Sequence, residues 1–208
     1  MRRFYFIRHG TTEWNEQRRM QGRLDSPLTE AGVAATRRLA RQLAALPVDV
    51  CFASPLGRAR QTAGILFGDR GVPIRLLDEL VELSFGELEG ASLDDFARLH
   101  PAAFHALWNW APGYEPAPFN GEDFATAARR AEAALGRMLA APEGGTIAVV
   151  SHGMMLKLIF EVVRGRALER FWEEPVPGNG EVTEILLDPD LRALAFTRLA
   201  LPEVPGEP

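Results

Sequence analysis

The stretch GTIAVVSHG, Gly145 to Gly153, constrains the fold more than any other part of the chain. Its apolar residues follow one another without the alternation of a half-buried strand. That is the pattern of a strand covered on both faces, as in a parallel sheet packed between helices. MMLKLIFEVV continues with helical periodicity, and the same alternation of strand and helix runs upstream. RRFYFI reads as a first strand closed by Gly10, and LTEAGVAATRRLARQLAAL as an amphipathic helix with Thr29 as N-cap and Pro47 beyond its end. VDVCFAS reads as a second strand, GRARQTAGILF as a helix and VPIRLL as a short third strand. EDFATAARRAEAALGRMLAA is helical, while EVTEILLD and LRALAFTRLA suit a hairpin or edge strands. The pattern predicts an α/β fold, a three-layer α/β/α sandwich with a mainly parallel central sheet.

From Ala91 to Asn120 the pattern changes to helical pieces and loops rich in aromatics and prolines. We read the 208 residues as a single domain, 1–208, with a helical and loop cap inserted at about 91–120. The final PEVPGEP is expected to fray.

Composition excludes several function classes. Lys+Arg 23 against Asp+Glu 28 gives a net charge of -5, which argues against nucleic acid as a partner. Lys157 is the only lysine and Cys51 the only cysteine, so neither an internal disulfide nor a cysteine-based zinc site is available. No HExxH or cysteine-histidine spacing occurs, and no metal and no cofactor are expected. No apolar run approaches the roughly 20 residues that span a bilayer, and no signal-peptide pattern opens the sequence; a cytoplasmic location without membrane contact is the expectation. A homodimer is compatible with the sequence, though no segment demands one.

The polar residues at the strand ends carry the chemistry. The first strand stops on Arg8-His9-Gly10, the second runs into SPLGRARQT with Arg58, and the apolar strand stops on Ser151-His152-Gly153. Alone, Arg8-His9 reads as a solvated strand end. If the three strands are neighbours in a parallel sheet, however, their carboxyl ends share one edge, where such sheets collect functional groups. Two guanidiniums and two imidazoles gathered there require an anion, and the planar fork of arginine suits phosphate oxygens. Gly10 and Gly153 would let a bound group approach the backbone, with helix N-termini adding partial positive charge. A neutral imidazole can attack phosphorus and form a phosphohistidine, while arginines stabilise the transferring group. A departing alkoxide also needs an acid. The loop LVELSFGELEG offers Glu82, Glu87 and Glu89, although an acidic loop by itself is as well explained as solvated surface.

RHGTTEWN, SPLGRARQT, LVELSFGELEG and VVSHG, in this order, resemble the histidine phosphatase superfamily, also called phosphoglycerate mutase-like. The resemblance runs from Phe6 to about Ile159 and implies the phosphatase branch. It implies that His9 is phosphorylated, that Arg8, Arg58 and His152 hold the phosphoryl group, and that Glu82 is the acid-base residue. Asn15, Gln21, Gly22 and Gly153 would line the phosphate or substrate region. Thr11 and Leu88 depart from many relatives, which have glutamate and tryptophan there, and Met154 and Met155 are apolar where some relatives are polar. The implied function is a metal-independent phosphomonoesterase acting on small phosphate esters, with broad specificity or an α-ribazole-phosphate-like substrate.

A cofactor-dependent phosphoglycerate mutase is the competing enzyme, and a catalytically silent phospho-ligand binding module is the non-enzymatic alternative. A mutase needs extra cations for its substrate carboxylate. FHALWNWAPGYEPAPFNGEDF, where relatives of that type carry them, has neither arginine nor lysine. Arg129-Arg130 falls in a helical pattern, where a solvated face is the simpler reading. An apolar, aromatic wall then suits an uncharged alcohol. His100 and His105 are expected at the surface, and Trp108, Trp110, Tyr114 and Phe119 either pack the insertion or line the pocket.

Overall fold

The computed structural model describes residues 1–142 and 145–200; the C-terminal PEVPGEP lies outside them. A six-stranded sheet in the order β3-β2-β4-β1-β5-β6 forms the middle layer. It comprises β1 (Arg2–Arg8), β2 (Val50–Ala53), β3 (Ile74–Leu76), β4 (Thr146–Ser151), β5 (Val182–Leu187) and β6 (Ala193–Arg198). Strands β3, β2, β4 and β1 are mutually parallel. The tail hairpin β5-β6 adds on antiparallel beside β1.

Both sheet faces are covered because both sets of alternating strand side chains are apolar. Tyr5, Ile7, Cys51, Ala53, Ala148 and Val150 pack with α2 (Glu30–Gln42) and α3 (Gly57–Phe67). Phe4, Phe6, Val50, Phe52, Ile147 and Val149 pack with α6 (Phe124–Ala140) and α7 (Gly153–Arg164) on the other side. Cys51 is a free, buried core residue. The helix ends follow local chemistry. Thr29 accepts the Gly32 amide at 3.0 Å to start α2, Asp123 accepts the Thr126 amide at 2.7 Å to start α6, and Gly165 at φ 61° ends α7.

Two elements go beyond the sequence reading. Helix α1 (Glu13–Glu16) is too short to show periodicity and exists through a capping box between Thr12 and Asn15. A 3₁₀ stretch spans Leu168–Glu173. The segment 91–120 forms α4 (Leu93–Leu99), α5 (Pro101–Asn109) and two 3₁₀ turns. Its aromatics divide: Tyr114 and Phe119 are buried in the core, whereas Trp110 is exposed. His100 and His105 lie at the surface.

The acidic loop is locked to this segment at Gly86. Its φ is +58°, and a Cβ there would fall 1.9 Å from the Phe119 carbonyl oxygen. Gly86→Ala therefore combines a left-handed backbone with a backbone clash. It should cost on the order of 3 kcal/mol in urea unfolding, lowering Tm by roughly 6–12 °C.

Candidate active site

The parallel ladder sets the geometry. Arg8 pairs with Ser151 across β1 and β4, Ala53 pairs with Val150 across β2 and β4, and the His9 amide donates to the Ser151 carbonyl at 3.0 Å. The three strand ends thus leave the sheet side by side, and the His9 and His152 rings stand 5.2 Å apart between centroids. His9 borders a cavity of about 350 Å³ whose lining also includes Arg8, Asn15, Gln21, Gly22, Arg58, Glu82 and Gly153. Its wall also contains Trp14, Met20, Phe85, Leu93, Trp108, Met154 and Val176. Of the residues expected at the site from the sequence, only His152 is absent from this lining, and its ring neighbours that of His9.

His9 is buried, and its Nδ1 lies 2.8 Å from the Gly10 carbonyl. A carbonyl only accepts, so Nδ1 carries the proton and Nε2 keeps its lone pair. Burial first, then the charges of Arg58 and Arg8, hold the His9 pKa well below the ordinary histidine value. Burial, Arg58, His9 and Arg8 do the same for His152. His152 Nε2 is 2.7 Å from Ser54 Oγ. That oxygen accepts the Leu56 amide at 3.3 Å, so the arrangement that satisfies the hydroxyl has it donating to Nε2, with the ring proton on Nδ1.

Arg58 is fully buried. It donates to the carbonyls of Leu24 and Gly22, each at 2.7 Å, and pairs with Asp25 at 2.9 Å. Arg8 donates to the Pro177 carbonyl at 2.7 Å. Arg8 Nε, Arg58 Nε and His152 Nδ1 are buried donors that no group among the described residues satisfies. Buried donors of this kind require a partner. An oxyanion supplies several acceptors at once.

Glu82 comes from the far side of the cavity. Its Oε1 accepts the amides of Leu83 and Met155, each at 2.9 Å, and its Oε2 accepts that of Met154 at 3.1 Å. The first turn of α7 therefore directs those amides at the glutamate. Glu89 ties the loop to the Leu24 and Phe85 amides at 3.1 and 3.0 Å. Glu87 bonds the exposed Asn120 side chain at 2.8 Å.

Three expectations need correction. Gly10 does not open the backbone to a bound group; a Cβ there would lie 2.6 Å from Thr36 Oγ1, so the glycine serves packing against α2. Gly153 does line the cavity, with a Cβ position 2.7 Å from Val176 Cγ1 and 3.3 Å from Arg8 Cζ. Arg129 is exposed as expected, but Arg130 turns inward. It donates to the carbonyls of Glu79, Val81 and Glu82 at 2.9, 2.5 and 3.2 Å and pairs with Glu122 at 2.7 Å. Finally, the wall is not free of extra cations: Arg18 and Arg19 line it from the turn after α1.

Asn179 also went unread, lying in a loop without a motif. Its Nδ2 donates to the His9 carbonyl at 2.9 Å and approaches Asn15 Oδ1 at 3.3 Å. Asn15 Oδ1 also accepts from the Thr12 amide at 3.1 Å, so Asn15 caps α1 as well as facing the cavity. Leu88 and Met155 are core residues, and Met154 reaches the cavity. Among the described residues, no cluster of metal-ligating side chains occurs, and no helix is long and apolar enough to cross a membrane.

Fold and site together define a phosphoryl-binding α/β protein with paired histidines. The chain belongs to the histidine phosphatase superfamily, branch 1, whose family model matches residues 4–198. It is 36% identical over 166 residues to GpmB of Cronobacter sakazakii, which carries the name of a probable phosphoglycerate mutase, covering 79% of this chain and 76% of that one. It is 31% identical to a candidate phosphoserine phosphatase 2 of Hydrogenobacter thermophilus over 94% of this chain and 95% of that one. The solved structure of YhfR from Bacillus stearothermophilus superposes with a TM-score of 0.86 at 34% identity, covering 97% and 96% of the two chains.

Buried neutral histidines bind fewer protons in the folded than in the unfolded chain below the ordinary histidine pKa. Folding stability should therefore fall as pH drops through that value, by up to about 1.4 kcal/mol per pH unit for each of His9 and His152. Urea unfolding at about pH 7.5 and about 5.5 measures this, and His9→Gln should remove roughly half of the difference.

Proposed function

We propose that the protein is a metal-independent phosphomonoesterase working through a phosphohistidine. The observation that carries this reading is the meeting of the bare His9 Nε2 with Arg8, Arg58 and Glu82 around one cavity. His9 Nε2 attacks phosphorus in line, and the ester P–O bond breaks while Glu82 gives its proton to the leaving alcohol oxygen. Glu82, now a carboxylate, takes a proton from a water that attacks the phosphorus. The P–N bond breaks, and inorganic phosphate and the original His9 are restored. Arg8, Arg58 and the His152 Nδ1–H stabilise the equatorial oxygens throughout, supplying the positive charge that a metal provides elsewhere. Asn15, Gln21 and Gly22 complete the phosphate region, and the segment 91–120 acts as its cap through Leu93 and Trp108.

Arg130 is a positioning residue in this scheme. Its guanidinium gathers the backbone carbonyls around Glu82 and holds the loop against α6.

The name of GpmB raises the mutase alternative, in which the phosphoryl group returns to a phosphoglycerate. FHALWNWAPGYEPAPFNGEDF lacks the lysine and arginine that relatives of that type carry there, which favours hydrolysis even though Arg18 and Arg19 bring two cations to the cavity from the turn after α1. The phosphatase name of the Hydrogenobacter relative points the same way.

His9→Ala should lower kcat on p-nitrophenyl phosphate by roughly ten-thousand-fold and abolish the acid-labile phosphoenzyme, with chelator leaving the parent activity unchanged. Turnover with no trappable phosphoenzyme, or loss of activity with chelator, overturns the mechanism. Phosphoglycerate isomerisation faster than phosphate release would establish a mutase, and absence of turnover with every ester a binding module.

Glu82→Gln should cost about 100- to 10,000-fold with alkyl esters and less with p-nitrophenyl phosphate, whose leaving group needs no proton. Arg130→Met should show the same leaving-group bias at about tenfold, whereas a purely structural role would lower both substrates equally.

A further inference from the structure

The phosphatase reading accounts for the buried floor of the cavity and leaves its exposed rim unexplained. Arg18 and Arg19 both line the cavity, and both are exposed, whereas His9 and Arg58 are buried. Four arginines thus face one glutamate in a chain whose net charge is -5.

The backbone at Arg18 is itself unusual. The Arg19 amide donates to the Trp14 carbonyl at 2.9 Å and the Arg18 amide to that of Asn15 at 3.2 Å. This is the Schellman closure of α1, with Arg18 in the left-handed position at φ 54°. Glycine is the favoured residue there, and a side chain with a Cβ is disfavoured. Departures from local preference concentrate at functional positions. Among the described residues, the Arg18 side chain pairs with the exposed Asp94 alone, at 3.3 Å, and Arg19 gives one amino group to the Gly90 carbonyl at 2.8 Å. Trp108 lines the same cavity, and its indole N–H is a buried donor without a partner among the described residues. The same lining holds the apolar side chains of Trp14, Met20, Phe85 and Leu93.

We propose that the physiological substrate is a phosphomonoester whose alcohol has an apolar or ring-shaped body and, at the end away from phosphorus, a second anionic group such as a carboxylate. Arg18 and Arg19 receive that group, with the Trp108 N–H as a further donor. The inference rests on the phosphatase reading and specifies its substrate class. It replaces the uncharged alcohol expected from the sequence, because the cations come from the turn after α1 instead of from the segment beyond Glu82.

The test compares kcat/KM for para-carboxyphenyl phosphate with its neutral isostere, para-carbamoylphenyl phosphate. At low ionic strength the parent enzyme should prefer the carboxylate by about tenfold, and salt should erode the preference. Arg18→Gln and Arg19→Gln should each cut the ratio about threefold, Arg18→Glu should bring it below one, and Asp94→Asn, which frees Arg18, should raise it. The ratio within each variant cancels changes in overall activity, and its change from the parent to each variant cancels the difference between the two leaving groups. A parent ratio near one, or a ratio unmoved by both glutamine variants, overturns the inference while the phosphatase reading stands. Release of phosphate from neither ester overturns that reading first.

Discussion

Everything at the site depends on the parallel pairing of β4 with its two neighbours. In a parallel ladder the strand ends emerge at matched heights, so the Arg8↔Ser151 and Ala53↔Val150 pairs bring His9, His152 and Ser54 to one level. A shift of one residue in either ladder would send each polar terminal side chain to the opposite face. The register is secured by burial of Phe4, Phe6, Ile147 and Val149 on one face and of Tyr5, Ile7, Ala148 and Val150 on the other. Core packing and site geometry are therefore one constraint.

The electrostatic consequence is a cluster that would repel itself if every member were charged. The two histidines relieve this by remaining neutral, pushed there by burial and by the arginines. Arg58 relieves it by the ion pair to Asp25 and by the carbonyls of Gly22 and Leu24. Arg8 is pulled down by burial, opposed by the pull of Glu82. The neutrality that makes the cluster tolerable in the folded chain is also what leaves a lone pair on His9. Stability and nucleophilicity have the same origin.

What the sequence disclosed follows from how each residue acts. Arg8, His9, Arg58, Glu82 and His152 were legible because they lie in short motifs at strand ends, and a parallel sheet brings strand ends together whatever the loops do. The strands and long helices were legible from periodicity and caps; even the α3 boundaries, Gly57–Phe67, match the stretch read as helical. Asn179, Arg130 and Arg18 were not. Asn179 works through the backbone of His9 from a segment 170 residues away, and nothing local marks that reach. Arg130 shares a helical pattern with Arg129, and only the packing of α6 against the Glu82 loop distinguishes the inward residue from the solvated one. Arg18 was hidden because a four-residue helix has no period to read, so neither its closing turn nor the direction of that turn could be inferred.

The two arms of the site are held by different means. The His9 arm is fixed by the sheet itself, with Gly10 pressed onto α2 and the His9 amide in the ladder. The glutamate's arm is a loop, and a loop needs external support to hold a carboxylate in one place. That support comes from three directions: the first amides of α7, Arg130 on α6, and the Gly86 contact with the segment around Phe119. Each belongs to a different element, so the glutamate's position depends on the assembled sandwich, whereas that of His9 depends on two adjacent strands and the segment that carries Asn179. The rim arginines have a third kind of support. They sit on a turn closed by its own amides and tied to the neighbouring loop through the Leu93 amide, 2.8 Å from the Arg18 carbonyl. Arg18, placed this way, can vary without disturbing either arm, while Arg19 also braces the glutamate's loop at the Gly90 carbonyl. A fold of this type can therefore keep its phosphoryl chemistry fixed while the residues that choose the alcohol change.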